Sequence, residues 1–185
     1  MASLFLLPHF LPSLLLIALS FTFLLHSHNL PVVKADDNLI KQECGYADAP
    51  ALCIQCVKSN PKALEADSVG IATIIVNCVS EQANALGTNL SKLAYEAKDK
   101  NLTTLYQEGS KVYLDACKDL STVISSLGKG DYDSANHGLG TTLRNQGLCY
   151  VSFQSYEPDV PERIVYDMGV CTALSESAMR IIDRL

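Results

Sequence analysis

The sequence predicts an all-α fold: an antiparallel, up-down four-helix bundle with a short N-terminal helical hairpin, stapled by disulfides. Three observations predict it. From about residue 66 onward, apolar residues recur at spacings of three and four through four long stretches. No segment sustains the period-two alternation of a half-buried strand. Short glycine-, proline- or aspartate-containing breaks separate the stretches, and short connections make neighbouring helices antiparallel. At 185 residues, 48% hydrophobic and 18% charged, the chain suits one globular domain.

The first 35 residues are set apart from that domain. Met1 to Val33 carries no Asp, Glu, Lys or Arg, and Leu11 to Leu25 is a nearly continuous apolar run. This is the length of a signal-peptide core and is short for a spanning helix. Val33-Lys34-Ala35 places small residues at −3 and −1, so cleavage is expected after Ala35. The mature chain is then Asp36–Leu185, 150 residues. It loses Lys34 and no other charged residue, so the net charge goes from −6 to −7. A chain of this size buries about 70% of its unfolded surface, so disulfides reinforce the core and do not replace it.

Residues 36–62 form the predicted hairpin extension, and residues 63–185 the bundle. Leu39, Ile40 and Cys44 share a face of a first short helix. Gly45 and Ala47-Asp48-Ala49-Pro50 break it, Ala51 to Lys58 forms a second, and Asn60-Pro61 ends the pair. The first bundle helix starts near Ala66-Asp67-Ser68, with Asp67 or Ser68 as cap. Its stripe is Ile71, Ile74, Ile75, Cys78, Val79, Ala83 and Leu86. Gly87 interrupts it before Leu90, Leu93 and Ala94, so one kinked helix or two collinear ones are expected. The second helix carries Leu102, Leu105, Tyr106, Val112, Tyr113, Ala116, Cys117, Leu120, Val123, Ile124 and Leu127, and Gly128 and Gly130 stop it. The third opens at Asp131 or Asp133, with Tyr132, Ala135, Leu139, Leu143, Gln146 and Cys149 on one stripe. Phe153 to Pro161 is expected as a loop. The fourth begins at Pro161 or Glu162 and carries Ile164, Val165, Met168, Cys171, Leu174, Ala178, Ile181 and Ile182.

All seven cysteines lie in the mature part, and secretion favours disulfides. Seven is odd, so at least one thiol is free or pairs between chains. Cys44 and Cys53 can close a small loop across the hairpin. Cys117 and Cys149 sit on either side of the Gly128–Gly130 turn. From Cys117 to the turn is about 11 residues, roughly 16 Å; from Asp133 to Cys149 it is about 16 residues, roughly 24 Å. That offset leaves their pairing open on spacing alone. Asn89-Leu90-Ser91 and Asn101-Leu102-Thr103 are glycosylation sequons.

Catalytic chemistry is poorly provided for. The mature chain has one histidine, His137, and there is no G-x-S-x-G elbow, H-E-x-x-H, P-loop or Rossmann fingerprint. Cys53-Ile54-Gln55-Cys56 has no matching second pair or histidines, so no metal site is expected, and nothing implies a cofactor. Glu162/Asp167 and Asp115/Asp119 read as solvated helix faces. An acidic chain without a Lys/Arg cluster is not a nucleic-acid binder, and the mature form needs no membrane.

A set of motifs carries a resemblance. It comprises Cys44-x8-Cys53, Ser59-Asn60-Pro61 leading into Ala66-Asp67-Ser68-Val69-Gly70-Ile71-Ala72, and Tyr113-x-x-Ala116-Cys117. Gly130-Asp131-Tyr132-x-Ser134-Ala135-Asn136 and Leu143-x5-Cys149 complete it. Together, over about Leu39 to the C-terminus, they resemble the plant invertase and pectin methylesterase inhibitor family. The resemblance implies a secreted helical bundle that acts as an enzyme inhibitor and is not itself an enzyme. Its partner would be a protein in the cell wall or vacuole. It implies disulfides Cys44–Cys53 and Cys117–Cys149, with Cys56, Cys78 and Cys171 as extras; whether Cys78 meets Cys171 stays open. Invertase inhibitors of this family insert a Pro-Lys-Phe segment that would fall at Tyr132-Asp133-Ser134, where this chain lacks it. Asp131, Tyr132, Asp133, Ser134 and Asn136 are therefore target-binding candidates, against the simpler reading of the aspartates as helix caps. The Asp131-Tyr132-x-x-Ala135-Asn136 start resembles inhibitors of pectin methylesterase. The hairpin and first helix read closer to the invertase branch, so an acid invertase is the expected target and pectin methylesterase the alternative. A non-inhibitory, allergen-like secreted bundle is the third reading.

Overall fold

Aspartates set most of the helix starts. The computed structural model describes residues 36–156 and 159–185; the expected leader, residues 1–35, lies outside them. Helix α1 is Asp37–Gly45, and the Asp36 carboxylate accepts from the backbone N–H groups of Asn38 and Leu39. Helix α2, Pro50–Ser59, has its proline in the first turn, where no N–H is needed. A 3₁₀ turn at Ala63–Glu65 leads into α3, Ser68–Glu96, capped by Asp67 accepting from Gly70 N–H at 2.7 Å. Asp99 caps α4, Lys100–Gly128, and Asp131 caps α5, Tyr132–Gln154. Helix α6 is Glu162–Ile182. Gly130, at φ 73°, makes the tight turn between α4 and α5, a conformation that side chains with a Cβ rarely adopt.

The four long helices close a ring. α3 packs on α4 and α6, and α5 packs on the same two, the pattern of an up-down bundle. The hairpin of α1 and α2 lies against α3 and α6. The interior has two halves. Ile40, Val57, Ile71, Ile75, Leu139 and Ile181 fill the hairpin end. Leu90, Leu105, Tyr106, Tyr113, Phe153 and Met168 fill the other.

One element is settled between two expected alternatives, and one differs from the sequence reading. α3 runs through Gly87 as one helix, and α4 approaches it closely there. Leu114 packs on the glycine, and Ser110 Oγ donates to its carbonyl at 2.8 Å. α5 also runs on to Gln154, past the expected loop start at Phe153. Phe153 is fully buried over Gly109, where a Cβ would meet its ring at 2.7 Å, and it packs at a tilt of 45° against Tyr106 with centroids 6.0 Å apart. Burying an aromatic side chain of this size is worth about 2–3 kcal/mol, enough to extend a helix by a turn. On α5 the buried stripe passes through Thr142, while Leu143 is only half-buried.

The hairpin is held by covalent and polar ties together. Cys44–Cys53 joins α1 to α2, and Cys56–Cys78 joins α2 to α3. The half-buried Arg184 guanidinium donates to the Glu43 carboxylate at 2.7 Å, and Ser68 Oγ donates to its other oxygen at 2.7 Å. The same guanidinium lies 4.2 Å from the Tyr46 ring centroid. Lys58–Asp37 and Arg180–Asp48 are exposed and contribute little.

Candidate functional site

The sequence candidates at the start of α5 gather at one end of the bundle, but most are occupied with structural work. Asp131, Tyr132, Asp133 and Asn136 line a hollow of about 330 Å³ together with Asp183 and the C-terminal Leu185. Asp131 accepts from Ser134 N–H at 3.2 Å as the helix cap. Tyr132 is half-buried and packs against the hairpin-end core. The Asn136 amide donates to the Asp183 carboxylate, tying α5 to the end of α6. Only Asp133 and Ser134 stand exposed without such a role. A protruding, free insertion segment is therefore not what this turn provides.

A second surface lies along the seam between α4 and α5. A groove of about 460 Å³ runs between them, lined by Leu105, Glu108, Val112 and Asp115 of α4 and by Leu148 and Cys149 of α5, among others. Leu148 and Val151 are 65% and 60% exposed beside one another on α5. Much of their apolar surface is left open to solvent among the described residues, while Lys111, Glu108 and Asp119 give the groove a polar rim. Sequence reasoning missed this face. The available signal was the run Leu148-Cys149-Tyr150-Val151, too wide for one buried stripe.

The thiols depart from the pairing that the resemblance implies. Cys117 and Cys149 are not bonded to each other, and Cys171 is also free. The Cys117 thiol faces α3, donating to the Ser80 carbonyl at 3.5 Å and to the Tyr113 carbonyl at 3.4 Å. Cys149 sits higher along the seam, in the groove, in keeping with the offset noted from the spacing. Cys56, expected as an extra, instead reaches Cys78, because α2 lies directly against the first turns of α3. Burial pushes the Cys149 thiol up to about 12, with Glu108 adding to it. Burial likewise pushes Cys171 up to about 12, assisted by Asp167 and Cys117. Burial also raises Cys117. None of the three is poised as a nucleophile. The Tyr113 hydroxyl, buried near Cys149 and Cys171, has no hydrogen-bond partner among the described residues, and burial raises its pKa.

His137 lies exposed on α5, and Asp167 and Asp115 are paired with Arg163 and Lys118 on their own helices at 2.9 Å. Among the described residues, no group of three or more His, Cys, Asp or Glu is placed to hold a metal ion. Asn89 and Asn101, the sequon residues, are both exposed. Among the described residues, the arrangement gives an exposed apolar face with a groove and no metal-holding cluster.

Comparison with known proteins agrees with that reading. A family model described as plant invertase/pectin methylesterase inhibitor matches residues 38–181. A pectinesterase inhibitor of Actinidia deliciosa is 28% identical over 134 residues, covering 72% of each chain. An Arabidopsis thaliana cell wall / vacuolar inhibitor of fructosidase 2 is 29% identical over 156 residues, 80% of this chain and 83% of that protein. The crystal structure of a mutant form of a pectin methylesterase inhibitor from Arabidopsis superposes with a TM-score of 0.68 at 18% identity, covering 77% of this chain and 93% of that one.

Proposed function

The chain belongs to the plant invertase/pectin methylesterase inhibitor family, and from that premise we propose that it is a secreted inhibitor whose target is a pectin methylesterase. The target choice departs from the sequence expectation of an acid invertase. It is supported by the similarity to a pectinesterase inhibitor and by the state of the α4–α5 turn. Asp131, Tyr132 and Asn136 are committed to capping and packing, so this end does not offer the free segment that an invertase contact of the expected kind needs. The observation that carries the reading is the α4–α5 face, with Leu148 and Val151 exposed beside a ready-made groove. A long, rigid face of this kind covers a cleft without ordering a loop, so little conformational entropy is lost on binding. The acidic mature chain suits a target whose cleft rim is basic, and association is then slowed by salt. The cell wall is the compartment where this target is met.

Inhibition of an acid invertase is the second reading. The fructosidase inhibitor matches a larger share of the chain, and that observation keeps it in view. The test is a titration of oxidised Asp36–Leu185 against a plant pectin methylesterase and a plant acid invertase at mildly acidic pH. One-to-one loss of esterase activity is expected. Leu148→Asp with Val151→Asp, both at exposed positions, should weaken it by about tenfold or more. Loss of invertase activity alone overturns the target, and an unaffected double variant overturns the face.

A further inference from the structure

We infer that Asn101 carries an N-linked oligosaccharide that stands at the head of the α4–α5 groove and limits how much of that face a target can reach. The inference about reach rests on the target-binding reading above; the modification itself does not. Asn101-Leu102-Thr103 is a sequon at the start of α4. The Asn101 side chain is exposed, and its carboxamide makes no hydrogen bond with any described residue. Only its backbone N–H is engaged, by the Asp99 cap. Nδ2 is thus left free to carry a substituent after folding. The disulfides Cys44–Cys53 and Cys56–Cys78 fit folding in the oxidising compartment where such transfer takes place.

Position gives the modification its consequence. Asn101, Leu105, Glu108 and Val112 follow each other at spacings of four, three and four, so they share one face of α4. The last three line the groove. Asn101 is one turn above Leu105, about 6 Å along the helix. Groups built outward from its Nδ2 therefore overhang the groove from its upper end. Asn89, the other sequon residue, is differently placed. Gly87 faces α4 through Leu114, and Asn89 lies roughly 160° from it around α3. A sugar there points away from the seam.

The step is an ordinary group transfer. A bond forms between Asn101 Nδ2 and the anomeric carbon of an oligosaccharide. The bond from that carbon to the diphosphate of a lipid-linked donor breaks, the lipid diphosphate leaves, and Nδ2 gives up one proton.

The experiment uses the full chain secreted from plant cells. Intact mass is measured before and after an N-glycanase that tolerates plant core sugars, for wild type, Asn101→Gln and Asn89→Gln. Loss of one glycan mass in Asn101→Gln is expected; an Asn101 found unmodified overturns the inference. Inhibition of the pectin methylesterase is then titrated. Asn101→Gln and enzymatically deglycosylated wild type should both bind at least about threefold tighter, mainly through faster association, while Asn89→Gln should match wild type. Equal inhibition by all forms overturns the placement over the groove. Hydroxyl-radical footprinting, which needs no target, reads the same point: Val112 and Leu148 should label more strongly in Asn101→Gln. If no form inhibits either enzyme, the functional reading falls, and mass and footprint still decide the modification and its reach.

Discussion

Removing the Cys56–Cys78 bridge tests the feature that most distinguishes this chain from the pattern its motifs resemble. The perturbation is the double substitution Cys56→Ser with Cys78→Ser, which leaves no new unpaired thiol. The bridge closes a loop with a sequence separation of 22. Chain-entropy arguments give about 3.4 kcal/mol for a loop of this size, against about 2.6 kcal/mol for the nine-residue loop of Cys44–Cys53. Cys56 is buried in the hairpin-end core, so placing a serine hydroxyl there adds to the cost. A loss of about 3–4 kcal/mol corresponds to a fall in Tm of roughly 6–16 °C for a domain of this size. Urea unfolding followed by far-UV circular dichroism measures it, with peptide mapping of the unreduced wild type to confirm the bridge. A loss below about 1 kcal/mol would refute the argument, because the loop would then already be restrained by other ties. Mapping that found Cys117–Cys149 in place of Cys56–Cys78 would refute it outright.

Three further outcomes are expected. Arg184→Ala should cost about 2 kcal/mol, since it strips the partner from a Glu43 carboxylate whose side chain is only 10% exposed and removes the contact over Tyr46; thermal unfolding measures it, and Arg184→Lys should recover only part. Gly109→Ala should destabilise by about 1–3 kcal/mol, because its Cβ would lie 2.7 Å from the Phe153 ring; a neutral result in urea unfolding would show that the ring moves freely. Burial raises the folded-state pKa values of Cys117, Cys149 and Cys171 above the free-thiol value, to about 12 for the last two. The folded state then holds protons that the unfolded chain gives up, so this contribution is fully present below about pH 8.5 and is lost as pH rises toward 12. A pH series of unfolding free energies should fall across that window, and alkylation of the native protein at neutral pH should be slow at all three thiols.

Most of the fold was legible because every bundle helix carries an apolar stripe and three of the four also start at a capping aspartate. Asp67, Asp99 and Asp131 each accept a backbone N–H at a helix start. What was not legible depends on contacts between elements. Gly87 reads as a break in one dimension, yet it is the contact that lets Leu114 and Ser110 approach α3. Phe153 follows the predicted stripe of α5 and reads as the start of a loop; only Gly109, 44 positions earlier, explains its burial. The bridge between Cys56 and Cys78 depends on the angle at which the hairpin meets α3, which no spacing encodes. The candidate residues at the start of α5 carry a related ambiguity. A cap and a displayed recognition group use the same residue types, and Asp131 and Asn136 are engaged within the fold.

The distribution of these ties bears on how such a molecule binds. Among the described residues, both disulfides and the Glu43–Arg184 pair lie at the hairpin. No disulfide or ion pair crosses the α4–α5 seam there. The seam is held by packing, including Phe153 on Gly109 and Val123 on Gly138, and beneath it the Tyr113 hydroxyl is buried without a partner among the described residues, at a cost of about 1–3 kcal/mol. The face proposed for a target therefore lies on a seam that, among the described residues, side-chain packing holds without a covalent or ionic tie. Its rigidity, and with it the small entropy cost of binding, depends in good part on the close contact of Phe153 with Gly109. On this argument Gly109→Ala should weaken inhibition by more than its exposed neighbours' substitutions explain, because it loosens the surface before any target contact is made.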